Sequence, residues 1–275
     1  MAETCYRHPD RETGVSCSSC GRPICPDCMT PTPVGMRCPE CASQRTKVVR
    51  NPGGAPQAGF RGSPATFVLI AISVAVYLLE IARGSGGLTM STQTVYDLGG
   101  LYGPSVAEGE WFRLVTSGFV HVSLVHIGFN MLLLFFLGRL MEPALGTPRF
   151  LVLYFASLLA GSFGVMLLSP TEVSAGASGA IFGLAGATFV IARGRGMNEI
   201  AGQIGFLIIF NLIFTFAGHN VSIGAHMGGL VGGTLCALAI VAGERGKLGP
   251  NHRVAEYVVM AAVAAISVVG AIAVA

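Results

Sequence analysis

Two constellations in this chain have residue types and spacings suited to chemistry, and the first is spread along its apolar part. Ser178 stands in Gly176-Ala177-Ser178-Gly179, His226 in Gly224-Ala225-His226-Met227-Gly228-Gly229, and His126 is followed four residues later by Asn130, with His121 just before. Each has an ordinary explanation when taken singly. Gly-x-x-x-Gly runs are helix-packing seams, a serine in one bonds a carbonyl of its own helix, and a lone membrane histidine is a packing residue. Jointly they describe a site. Ser178 and His226 open two apolar runs of the same direction, so they are expected at similar depth, and glycines on both runs remove the side chains that would hold the backbones apart. A histidine nitrogen then reaches a serine oxygen, as a nucleophile and its base require. His126 and Asn130 share one helical face and enter their run from the same side, where they would donate hydrogen bonds to an oxyanion. No Asp or Glu is near His226 in sequence and none is expected at that depth in the core, so the expected unit is a Ser178–His226 dyad performing acyl transfer.

The second constellation is N-terminal. Cys5-x-x-His8, Cys17-x-x-Cys20, Cys25-x-x-Cys28 and Cys38-x-x-Cys41 are four ligand pairs at metal-knuckle spacing. Eight ligands make two tetrahedral zinc sites of a structural kind. Only four residues separate the second and third pairs, which favours a cross-brace: pairs one and three on one ion, pairs two and four on the other. A disulfide framework is excluded twice over, since seven cysteines are an odd number and the segment is expected in a reducing compartment. With under 45 residues and almost no apolar core, the unit should need its metal to fold. Arg7, Arg11, Arg22 and Arg37 are balanced by nearby acids, so a protein partner is expected rather than nucleic acid.

The elements that position the first site follow from composition. Of 275 residues 52% are hydrophobic and only 11% charged, and mean hydropathy is +0.65. Soluble domains carry about 25% charged residues, so this chain cannot cover its own surface in water. A net charge of +3 is too small to predict an anionic partner. No signal peptide is visible, because the N-terminus is polar. A bilayer-spanning helix needs about 20 apolar residues, and runs near 65–82, 120–140, 150–168, 178–193, 202–217, 224–242 and 254–274 meet the need: six core spans and one more at the C-terminus. Arg139 and Arg149, Arg193 and Arg195, and Arg245, Lys247 and Arg253 follow alternate spans, against only Arg83 and Arg113 on the opposite side. The positive-inside rule then places the N-terminal domain in the cytoplasm and residues 83–119, 169–177 and 218–223 outside. Residues 1–45 read as a zinc-binding domain, 46–63 as a Gly/Pro-rich linker, 64–243 as the six-helix core and 244–275 as the region of the seventh helix. Polar residues 169–175, broken by Pro170, fit a loop dipping toward Ser178, and 218–223 a movable cap. Trp111 and Arg113 in the long outer loop fit an interfacial aromatic anchor with a snorkelling arginine.

The ordered set Trp111-x-Arg113, His126-x-x-x-Asn130, Gly176-x-Ser178-Gly179 and Ala225-His226-x-x-Gly229, on six core spans, resembles the rhomboid family of intramembrane serine proteases. The resemblance covers residues 64–243, and the added seventh span is similar to the six-plus-one form of that family. It implies an all-α membrane protein that cleaves transmembrane substrates near their outer membrane boundary. It further implies Ser178 as nucleophile, His226 as base, and His126 and Asn130 with the Ser178 backbone N–H as the oxyanion site. Trp111 and Arg113 look like the family's lateral-loop motif. Phe182 departs from the pattern, standing where well-known bacterial members have a tyrosine packed on the catalytic histidine. The N-terminal domain resembles a B-box-type zinc finger. A plasma-membrane enzyme of a GC-rich bacterium is the expectation; the other reading is a non-catalytic bundle that only binds membrane helices.

Overall fold

The computed structural model describes residues 3–32, 35–43, 62–83, 87–217 and 221–275. Most of the linker expected over 46–63 and half of the cap expected over 218–223 lie outside the described residues. The chain divides into two compact units, Met1–Ala55 and Pro56–Ala275.

In the first unit, β1 (Glu3–Thr4) pairs antiparallel with β2 (Glu12–Thr13), placing Glu3 opposite Thr13. A single 3-10 turn, Pro26–Cys28, precedes the hairpin of β3 (Thr30–Thr32) and β4 (Gly35–Arg37), and α1 (Pro39–Ser43) follows. The buried core consists of six cysteines and Ile24. Strands this short bury too little apolar surface to fold on it alone.

The second unit is helical. Among the described residues six helices are long and apolar enough to cross a bilayer: α2 (Pro64–Arg83), α6 (Leu124–Leu145), α7 (Thr147–Leu168), α9 (Asn198–Ala217), α10 (Ile223–Glu244) and α11 (His252–Ala273). The described part of the long loop after α2 holds three short helices, α3 (Thr92–Asp97), α4 (Gly103–Ala107) and α5 (Arg113–Thr116). The remaining apolar helix, α8 (Ser178–Gly194), has 17 residues and, at about 1.5 Å per residue, falls short of the ~30 Å hydrocarbon core. It is also the helix that begins with the candidate nucleophile.

α6 starts at Leu124 rather than near 120, because the Ser123 hydroxyl accepts the His126 N–H at 3.2 Å as an N-cap. His121 therefore lies off the helix that carries His126 and Asn130. At the opposite end of the bundle the buried Glu142 carboxylate accepts from the Ala65 and Thr66 N–H groups at 2.9 and 2.8 Å, and from the hydroxyls of Thr66 and Thr147 at 2.7 and 2.8 Å. One acid thus satisfies the free N–H groups of α2 and meets the positive end of its dipole.

α10 packs chiefly against α8 and α7. A Cβ on Gly229 would overlap the Gly179 carbonyl, one on Gly233 the Gly183 carbonyl, and one on Gly228 the Ala160 carbonyl. These helices meet backbone to backbone, and only glycine allows it. α11 lies against α7 and α10, joined by a buried ion pair, Arg149 to Glu256 at 2.6 Å. Arg149, read as a marker of the positive side, is thus spent inside the protein. α9 is the least buried of the spans and presents Phe206, Ile209, Phe210, Ile213, Phe214 and Phe216 outward, an apolar face suited to lipid.

The long loop departs from the expectation in one respect. Trp111 is 55% exposed, in keeping with an anchor, but Arg113 is 5% exposed and does not snorkel. It pairs with Glu110, donates from Nη1 to the Tyr96 and Gly100 carbonyls at 2.7 and 2.8 Å, and lies 4.2 Å over the Tyr96 ring. Loop carbonyls without ladder partners needed a donor, and the guanidinium supplies several from one place.

Candidate active site and metal centres

Ser178 is the first residue of α8, where the leading N–H groups have no intrahelical acceptor. The chain reaches it through a segment pinned to the long loop: Leu101 and Ser174 exchange N–H···O bonds of 2.8 and 2.9 Å, Gly103 donates to the Pro170 carbonyl at 2.8 Å, and Gly176 donates to the Ser117 carbonyl at 2.9 Å. Gly176 turns the backbone with φ +132°, and a Cβ there would stand 2.8 Å from His126 Nε2. Glycine is required twice over, by the dihedral and by the imidazole.

His226 lies in the first turn of α10, which Ser222 caps by accepting the Ala225 N–H at 3.1 Å. The glycine seam brings its Nε2 to 2.8 Å from Ser178 Oγ. The Phe182 ring stacks on the imidazole, with centroids 4.1 Å apart and planes inclined by 19°, so the missing tyrosine hydroxyl leaves the stacking intact. On the other ring nitrogen, Nδ1 is 2.7 Å from the Thr215 hydroxyl.

The remaining polar residues fall around this pair. His126 stands beside Gly176, and its Nδ1 is buried with no hydrogen-bond partner among the described residues. The Asn130 amide donates to the His126 carbonyl at 2.9 Å, one turn back on the same helix, which leaves one further N–H. His121 packs edge-on against His126 at 5.2 Å. Its Nδ1 lies 3.1 Å from the Phe119 carbonyl, and its Nε2 receives a long 3.5 Å bond from the Ala177 N–H, so it steadies the backbone leading into Ser178. The expectation that no acid reaches this end of the core needs correction: Glu80, buried near the end of α2, accepts the His121 N–H at 3.0 Å. It is spent on a backbone that lacks a helical partner and not on His226. Thr215 and Glu80 are the residues that sequence reasoning missed.

A region matching the Rhomboid domain model covers residues 108–243, from α5's approach through α10. A curated relative, the putative rhomboid protease YdcA of Bacillus subtilis (strain 168), is 35% identical over 182 residues, which are 64% of this chain and 87% of that protein. The chain belongs to the rhomboid family of intramembrane serine proteases. The rhomboid protease GluP of the same organism is 36% identical over 193 residues, 69% of this chain but 38% of GluP. The rhomboid protease GlpG of Yersinia pestis (strain Pestoides F) is 30% identical over 182 residues, 64% of this chain and 63% of GlpG. The chain thus spans well under half of one rhomboid relative and most of another. It is a multi-pass membrane protein, and α2 and α11 extend the bundle beyond the stretch matched by the rhomboid model.

In the first unit the ligand pairs come together as two groups, Cys5, His8, Cys25 and Cys28 in one and Cys17, Cys20, Cys38 and Cys41 in the other. Within each, the candidate ligand atoms all lie within 4.8 Å of one another. His8 Nδ1 is 3.3, 3.4 and 3.9 Å from the sulfurs of Cys25, Cys28 and Cys5, and the Cys20 and Cys38 sulfurs are 3.8 Å apart. A tetrahedron with ~2.3 Å zinc–sulfur bonds has edges of about 3.8 Å, so the donor sets fit a four-coordinate soft metal. The Cys38 N–H, donating to Cys17 Sγ at 3.3 Å, holds that thiol well below its usual range, at about 6, which favours the thiolate a metal needs.

Proposed function

We propose that this protein is a serine endopeptidase that cleaves transmembrane proteins near the outer membrane boundary, using Ser178 and His226 as a dyad. The observation that carries the reading is the 2.8 Å approach of His226 Nε2 to Ser178 Oγ at the start of a short helix, in a chain of the rhomboid family. Ser178 Oγ attacks the scissile carbonyl while His226 Nε2 takes its proton. The oxyanion forms where the free N–H groups at the start of α8 point, with His126 and Asn130 as side-chain donors. The imidazolium then protonates the leaving amine, and water activated by the neutral imidazole releases the acyl group. A bundle that only bound membrane helices would need neither side chain, whereas here both are in hydrogen-bonding contact.

The N-terminal unit is proposed to hold two structural zinc ions, one in each group of four ligands, in the cross-braced manner of a B-box-type finger. Bound zinc would supply folding energy and no step of the proteolysis. The finger would sit in the cytoplasm of a bacterial cell whose plasma membrane holds the bundle, and meet a protein partner rather than nucleic acid.

The decisive experiment is labelling of the detergent-purified protein with a fluorophosphonate probe. Ser178 is the expected site of labelling, and Ser178→Ala or His226→Ala abolishes cleavage of a model transmembrane substrate. Labelling that survives Ser178→Ala would sink the assignment.

A further inference from the structure

The proposed chemistry requires His226 to present an unprotonated Nε2 to Ser178. A neutral imidazole carries one proton, which can reside on either nitrogen, so something must hold it on Nδ1. The atom facing Nδ1 is Thr215 Oγ1, 2.7 Å away and buried. A threonine hydroxyl has one proton to give, and Thr215 Oγ1 also lies 2.8 Å from the Asn211 carbonyl oxygen. That oxygen only accepts, so the hydroxyl proton belongs to it. Thr215 Oγ1 is then left with lone pairs alone toward His226 and can only accept. Nδ1 must therefore bear the imidazole proton, and Nε2 is left free to accept from Ser178 Oγ.

We infer that Thr215 is the positioning residue of the catalytic base: through Asn211 C=O···H–Oγ1···H–Nδ1 it fixes the tautomer and ring plane of His226, as a neutral third member behind the dyad. The inference rests on the Ser178–His226 reading and deepens it. Phe182, stacked on the ring face, restricts tilting but does not distinguish the two nitrogens; only a polar contact in the ring plane does. The same bond becomes charge-assisted and stronger once the base is protonated, so Thr215 favours the transition state over the resting state. Among the described residues no carboxylate takes this position: Glu80 is engaged at His121, and Glu142 caps α2.

The test compares Thr215→Val, which keeps the shape and removes the hydroxyl, with Thr215→Ser, which keeps the hydroxyl. Melting temperatures in detergent, steady-state kinetics on a transmembrane substrate, fluorophosphonate labelling rates and 15N spectra of histidine-labelled protein are recorded for each. Loss of one neutral buried hydrogen bond corresponds to about a tenfold effect. Thr215→Val should lower kcat and the labelling rate by about tenfold with KM unchanged, and its His226 spectrum should lose the uniform Nδ1–H form. Thr215→Ser should stay within about twofold of the unaltered protein. Labelling that depends on Ser178 but proceeds equally in Thr215→Val overturns the inference and leaves the dyad standing. So does a Thr215→Ser protein that melts normally yet is as slow as Thr215→Val. Labelling independent of Ser178 overturns the dyad and this inference with it.

Discussion

Asn130 and His126 are where one hydrogen bond decides between two roles. Asn130 spends one amide N–H on the His126 carbonyl, so it holds the turn carrying His126 while keeping a second donor. If that donor serves the oxyanion, Asn130→Ala should lower kcat by about 10²–10³ and leave KM nearly unchanged; a variant that raised KM alone would assign Asn130 to substrate binding. The approach of His226 to Ser178 was legible in the sequence because glycines flank both, and a glycine pattern on two spans implies that their backbones come close. Thr215 was not legible. A threonine in an apolar helix ordinarily bonds the carbonyl four residues back, as Thr188 does to Leu184 at 2.7 Å. Thr215 makes that same bond, and what sets it apart is a histidine on another helix.

Among the elements, the seam of α8 and α10 bears most directly on the candidate site, because Ser178 and His226 ride on opposite sides of it. Gly229 lies one turn beyond His226, where a Cβ would overlap the Gly179 carbonyl. Gly229→Ala should therefore force the helices apart, lower activity by more than tenfold and destabilise the bundle by about 1–3 kcal/mol. Cleavage assays and thermal melts of that variant, with Gly202→Ala in open space as control, check the claim; equal activity in the two would refute it. The spans themselves were readable from hydropathy, and the polar start of α8 from its sequence. The short helices α3, α4 and α5 were not, since their stretch has no sustained apolar period and is ordered by contacts distant in sequence, above all those of the buried Arg113. The first residues of the second span were misplaced for a local reason, the Ser123 cap.

At the scale of the whole molecule the two units rest on different physics: apolar spans suited to lipid, and a cysteine core whose donor groups fit a metal. Their pairing of ligands was legible because spacing alone restricts a cross-brace. Metal analysis of the N-terminal segment should give two zinc ions per chain, falling toward one when Cys17 and Cys20 are both replaced, and a chelator should unfold the segment. Because the finger is proposed as a tethered module, deleting residues 1–45 should leave Ser178 labelling nearly unchanged and weaken only substrates whose tails meet the finger. Loss of labelling in a bundle that still folds would make the finger a regulator of the protease. The glycine seam carries a last consequence, for how the enzyme fails on heating. Where Gly229 and Gly233 meet the Gly179 and Gly183 carbonyls, the joint has no rotamers to release, so warming does not soften it there by degrees. Catalytic geometry should persist until the helices part, and the temperature at which cleavage stops should coincide with the melting of the bundle rather than precede it.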